Sequence, residues 1–248
     1  MKFIFRYLKM IIILSATLLL SCNSPHIPLQ QPGILYAQAG VVVDAMPNDE
    51  IWEMQAWEKM DQVWLGNAPD SSDFAGKYKI AWDEKYLYVL AEITDDTLMD
   101  IHTDPLEKYW DDDCLEVFID EDASGGNHQY SYNAFAYHIA LNGDVADIAP
   151  DSSKVLLNDH AIVKRQTTGN TTIWEVAFQL YDSTFTHTSA YKPISLNAGK
   201  KLGFMIAYCD NDRSAERENF VGSVAVNGTD KNRGWIDAGI FGKYELIK

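Results

Sequence analysis

Apolar and polar residues alternate with a period of two along most of the chain beyond residue 40. From Cys114 to Asp120, Leu115, Val117 and Ile119 fall on one side and Cys114, Glu116, Phe118 and Asp120 on the other. That period marks a β-strand with one face toward a core. Lys77 to Asp95 predicts a hairpin. Tyr78, Ile80 and Trp82 alternate, Asp83-Glu84-Lys85 turns the chain, and Tyr86 to Ile93 returns, with strand and turn compositions in agreement. Tyr130 to Leu141 and Val145 to Ile148 predict a second hairpin around Asn142-Gly143, a strong turn signal. Ala161 to Thr167 and Thr171 to Leu180 predict a third around Thr168-Gly169-Asn170. Val41 to Asp44 reads as the first strand, Asp49 to Trp52 as a short helical turn, and Trp57 to Leu65 as a further strand. Leu202 to Asp210 and a section ending at Leu246 complete the series. Many short strands with turn signals between them predict an all-β sandwich.

The first residues do not belong to that pattern. Met1 to Ser21 has a basic start (Lys2, Arg6, Lys9) and then an apolar run to Leu20. This is a secretory signal, too short and wrongly flanked for a stable transmembrane helix. Leu19-Leu20-Ser21-Cys22 resembles a bacterial lipobox, which would make Cys22 the lipidated first residue and the protein an outer-membrane lipoprotein. Residues 22–40, with Pro25, Pro28, Pro32 and Gly33, read as a tether, and residues 41–248 as one domain.

The formal charge of −16, more negative once the basic leader is removed, repels nucleic acid and anionic lipid heads. It suits a neutral ligand or cation-bridged sites. Beyond Cys22 only Cys114 and Cys209 remain. In an exported chain they fit either a disulfide or two buried thiols.

The candidate chemistry lies at Tyr109 to Asp113, where a Trp is followed by three acids just before a strand. An indole among carboxylates is poor core material and a good platform for the apolar C–H face of a sugar, whose hydroxyls suit acids and amides. Trp52, Trp82 and Trp174 lie in strand or core patterns and read as core. Acids also cluster at Asp95-Asp96, Asp120 to Asp122, and Asp210 with Asp212, without EF-hand spacing.

Four stretches in order, Asp44 with Asp49-Glu50-Ile51-Trp52, Ile80 to Val89, Trp110 to Asp120, and Trp174 to Phe178, resemble a family 9 carbohydrate-binding module. The resemblance covers Val41 to the C-terminus. It implies a jelly-roll-like antiparallel β-sandwich that binds plant-polysaccharide oligosaccharides, such as xylan or cellulose fragments, between two Trp side chains without catalysis. Trp110 then matches one wall and Glu116 the sugar-bonding acid. Asn232 and Trp235, in Asn232-Arg233-Gly234-Trp235, match the Asn and Trp of the other wall. The family's sugar-binding Arg has no counterpart in Tyr130 to Leu141, where Asn133, Tyr137 and His138 stand instead. The resemblance also implies structural calcium in the acidic loops.

Three other functions compete, the plainest a purely structural envelope lipoprotein. A glycoside hydrolase would use two of Asp112, Asp113 and Glu116, but needs carboxylates on opposed walls about 5–9.5 Å apart. A DOMON-like redox module would bind haem through Met and His, for which His128, His138, Met205 and Met99 are present without a spacing that selects a pair.

Overall fold

The computed structural model describes residues 32–248. The leader, Cys22 and the tether up to residue 31 lie outside the described residues. In chain order the strands are β1 (Gly33–Tyr36), β2 (Glu58–Met60), β3 (Gln62–Leu65), β4 (Phe74–Trp82), β5 (Leu87–Asp95), β6 (Cys114–Asp120) and β7 (Phe135–Ala140). They continue as β8 (Val145–Ile148), β9 (Lys154–Leu156), β10 (Ala161–Thr168), β11 (Thr171–Phe178), β12 (Lys201–Asp210), β13 (Asn219–Gly222) and β14 (Gly242–Ile247). One helical turn, α1 (Glu50–Glu53), stands where it was expected.

The strands form a hydrogen-bonded path β10-β11-β5-β4-β1-β14-β12-β6-β7-β8-β9, with β13 on β12 and β3, and β2 on β4. The path closes into a sandwich because alternate residues of its two halves meet. Tyr78, Trp82, Val89, Trp174 and Phe178 share one cluster with Leu115, Val117, Tyr137, Phe204 and Ile206. Burial of each large side chain contributes about 1.5–3 kcal/mol. Trp52, Trp82 and Trp174 are 1%, 0% and 0% exposed, as core residues should be.

Four expectations change. First, Gly33–Tyr36, read as tether, is a strand. It pairs in parallel with β14 and β4, while Ile34 is fully buried and its carbonyl accepts from Trp82 Nε1 at 3.0 Å. The sandwich is therefore mixed at β1 and antiparallel elsewhere. Second, Val41 to Asp44 is not a strand. The amides of Asp44 and Ala45 donate to Glu175 Oε2 at 2.9 and 3.0 Å, so this backbone bonds a buried carboxylate instead of a neighbouring strand. Third, Trp57 to Leu65 splits into β2 and β3, which pair with β4 and β13 respectively.

Fourth, β6 has no solvent face. All seven of its residues are buried, because a second cluster with Trp64, Phe118, Met205, Phe220 and Phe241 covers the outer side of β6 and β12. Cys114 and Cys209 lie there as free, buried thiols, directly opposite one another across β6 and β12.

Candidate functional site

Beside this second cluster the outer face of β6 and β7 opens into a cavity of about 270 Å³. Small-molecule sites usually span about 300–1,000 Å³, so the space is of the order of one or two sugar rings. Trp110, Glu116, Asn232 and Trp235, the four residues singled out in the sequence, all line it. They come from the loop ahead of β6, from β6 itself and from the loop ahead of β14. Trp110 and Trp235 are both half-buried, which is the exposure of a wall and not of a core residue.

The Trp110 loop is held firmly. Asp111, Asp112 and Asp113, expected to hold the indole out in solvent, are 5%, 6% and 0% exposed. Asp112 accepts from the amides of Ile101 and His102 at 3.1 and 2.8 Å. Asp113 accepts from Met99 at 2.5 Å and Asn211 at 2.8 Å. The acids thus satisfy loop amides, two of them, those of Met99 and Asn211, in buried positions. Lys108, two residues before Trp110, has φ 51°, a left-handed conformation of the kind that collects at functional sites. The Tyr109 ring meets Trp110 edge-on at 5.0 Å, and Lys154 Nζ lies 4.7 Å from the Trp110 ring centre.

The loop carrying Asn232 and Trp235 is pinned as well. His128 Nε2 bonds the Gly234 carbonyl at 2.7 Å, and burial lowers the His128 pKa, so the ring is neutral and donates there. Glycine at position 234 lets the loop pack closely: a Cβ there would lie 2.4 Å from Met205 Cε and 2.9 Å from Phe118 Cε1 and would push those side chains aside. That close approach sets the loop carrying Asn232 and Trp235 against the second cluster.

Glu116 is not on a solvated strand face, as its period suggested. It is 2% exposed and forms the cavity floor. Its Oε2 lies 3.1 Å from His138 Nε2 and 3.9 Å from Arg217 Nη1. The other ring nitrogen of His138 faces the Ala136 carbonyl at 3.1 Å. Desolvation pulls the His138 pKa down, but the charge and hydrogen bond of Glu116 outweigh it and the net shift is upward. An imidazolium satisfies both acceptors. Asp147 also lines the cavity, and burial raises its pKa to about 7.

Sequence reasoning missed Asp147 and Arg217, which also line the cavity. Arg217 enters the cavity lining from the loop before β13. No periodicity or motif marks it, because only the fold brings that loop to β6.

A second constellation lies at the strand ends behind Trp110. One oxygen each from Asp95, Asp113 and Asp210 lie within 4.8 Å of one another, and Asp73, Asp96 and Asp212 form a similar group. Burial, then the charge of Asp95, pushes Asp113 up to about 9 and Asp210 to about 7. Asp210 Oδ1 and Asp212 Oδ1 are buried with no hydrogen-bond partner among the described residues. Converging carboxylates with orphaned oxygens and raised pKa values fit a hard divalent cation. Glu116, His138 and Cys209 also converge, but Arg217 Nη1 sits 3.0 Å from Cys209 Sγ and its charge opposes a cation there.

The chain is similar to several known proteins. Endo-1,4-beta-xylanase A of Thermotoga maritima is 27% identical over 224 residues, 89% of this chain. The corresponding xylanase of Thermotoga neapolitana is 25% identical over the same length. The chain spans only 18% of either enzyme. Among solved structures, a family 9 module from Caldicellulosiruptor kristjanssonii in complex with cellotriose superposes with TM-score 0.65 at 20% identity, covering 88% of this chain and 94% of that one. A putative carbohydrate-binding protein from Bacteroides uniformis superposes with TM-score 0.58 at 12% identity, covering 87% and 97%. The profile of the carbohydrate family 9 binding domain-like family matches residues 43–248, and the chain belongs to that family.

Proposed function

We infer that the protein binds neutral oligosaccharides of the cellulose and xylan type without cleaving them. One ring lies between the Trp110 and Trp235 indoles, which cover its C–H faces, while Glu116 accepts from one hydroxyl and Asn232 bonds another. The observation that carries this reading is convergence: residues 110, 116, 232 and 235, from separate segments, line one cavity of sugar size. The xylanases are matched over a small share of their length, and the solved relative with cellotriose is matched over nearly all of its own.

The rival readings find less support in the geometry. Asp112 and Asp113 bond backbone amides, and Glu116 is the one member of the hydrolase set that lines the cavity. His128 and His138 hold protein partners through their ring nitrogens. Calcium fits the Asp95, Asp113 and Asp210 group, where it would supply charge neutralisation and no step of ligand binding. Cys22 is proposed to anchor the chain in the outer membrane.

A panel of soluble cello- and xylo-oligosaccharides tests the assignment. Saturable binding with no release of new reducing ends is expected. Release of reducing ends would move the protein to the hydrolases, and a haem band in the visible spectrum would move it to the redox modules.

A further inference from the structure

Cys114 and Cys209 do not line the cavity, yet the fold brings them together. They are register partners across β6 and β12, and both belong to the cluster on the outer side of those strands. Residues directly opposite one another in antiparallel strands have Cα atoms about 4.5–5.5 Å apart, inside the window of about 4.4–6.8 Å that a disulfide spans. Both are free thiols closed off from solvent, 1% and 0% exposed. They are far apart in sequence, so no local pattern pairs them.

The two sulfurs are not equivalent. Arg217 Nη1 donates to Cys209 Sγ at 3.0 Å, and Cys209 Sγ lies 3.8 Å from Glu116 Oε2. A sulfur that merely fills apolar space has no use for a guanidinium, whereas a thiolate does. Burial raises the Cys209 pKa, but the hydrogen bond with the Cys114 thiol and the charge of Arg217 outweigh it, and the net shift is downward. Cys114 moves the other way: its hydrogen bond to Cys209, and then burial, push it well above the ordinary thiol value. One sulfur is set up as a nucleophile and its partner as the thiol that keeps its proton, an arrangement that suits thiol–disulfide exchange.

We propose that Cys114 and Cys209 form a thiol–disulfide exchange site that takes a small-molecule disulfide as its oxidant and, once oxidised, staples β6 to β12 beside the cavity. Cys209 Sγ attacks one sulfur of the incoming disulfide. The S–S bond of that molecule breaks, and its other sulfur leaves and takes up the Cys209 proton. Cys114 Sγ then attacks Cys209 Sγ, the mixed disulfide breaks, and the second thiol leaves with the Cys114 proton. Two electrons pass from the protein's thiol pair to the oxidant, which becomes two thiols. Both sulfurs are covered in the folded domain, so exchange takes place while β6 and β12 are apart, in folding or in transient opening. The closed sandwich then shields the bond. The inference does not depend on what the cavity binds.

The test refolds the full reduced chain in a mixture of reduced and oxidised glutathione, traps free thiols with an alkylating agent under denaturing conditions, and maps them by peptide mass. Cys114 and Cys209 are expected to escape alkylation and to appear in one linked peptide pair, whereas refolding in reductant alone should leave both alkylated. The oxidised form should melt several degrees above the reduced form, because the bridge closes a long loop of chain, and Cys114→Ala should remove the difference. In Cys114→Ala, Cys209 should carry glutathione as a mixed disulfide, and in Cys209→Ala, Cys114 should carry much less. The mapping is made on the wild-type chain and needs neither variant to fold. Full alkylation of both residues after refolding with oxidised glutathione, or a bridge from either of them to Cys22, would overturn the site. Equal melting temperatures of the two forms would overturn the staple, and equal glutathione on the two single variants would overturn Cys209 as the attacking sulfur.

Discussion

Asp147 shows how one buried group sets a pH response. It is 8% exposed and accepts from the amides of Ala136 and Ile148 at 3.1 and 2.7 Å, yet burial raises its pKa to about 7. In the unfolded chain it titrates near 3.9. Between these values the folded state binds a proton that the unfolded state does not, so this contribution to stability is full below about pH 4 and is lost as pH rises through 7. At fixed calcium, the melting temperature should fall from pH 5.5 to pH 8.5, and Asp147→Asn should flatten the slope. The variant will be less stable overall, because an amide NH₂ faces a backbone donor where an acceptor stood. An undiminished slope would place the titration elsewhere. Glu116 carries a related lesson. The family resemblance named it, and its period set it opposite Leu115 and Val117, but its burial was not legible. A period of two shows that two faces differ, and cannot show that loops cover the second.

Among the elements, the hairpins β4–β5 and β10–β11 were legible because alternation and turn chemistry are local. β1 was not, because Gly33–Tyr36 sits beside Pro32 and gains its partners from β4 and β14, far away in sequence. Val41 to Asp44 misled for the complementary reason. Its β-branched run has strand composition, but Glu175 takes the amides of Asp44 and Ala45 at its end, and the Val42 amide donates to Asp49. Strand ends also gather what the sequence shows only as scattered acids: Asp95 ends β5, Asp113 precedes β6 and Asp210 ends β12. Binding of calcium to the native state alone would stabilise it by about 2.7 kcal/mol at a hundredfold excess over Kd. Melting in excess calcium should therefore occur several degrees higher than in chelator, magnesium should not substitute, and Asp210→Asn should remove the difference. Equal melting temperatures in calcium and chelator would leave the acids without an ion.

At the scale of the whole molecule, the sandwich presents the walls of its cavity from loops that a rigid core and buried aspartates hold in place. The anchoring role of Cys22 is tested separately: Cys22→Ala should move the protein from the membrane pellet to the soluble fraction, and retention in the pellet would refute the lipobox. The central claim, that Trp110 and Trp235 grip a sugar, is tested most directly by titrating cellotriose into wild type, Trp110→Ala and Trp235→Ala, with a melting curve for each. Truncating a stacked aromatic of this kind costs about 2 kcal/mol or more, enough to abolish measurable binding of a weak ligand. Wild type should bind, and each variant should lose binding while melting near the wild-type temperature. Trp82→Ala, by contrast, should lose about 3–5 kcal/mol of stability. Unchanged affinity in both Trp110→Ala and Trp235→Ala, or collapse of the fold in Trp110→Ala, would contradict the account.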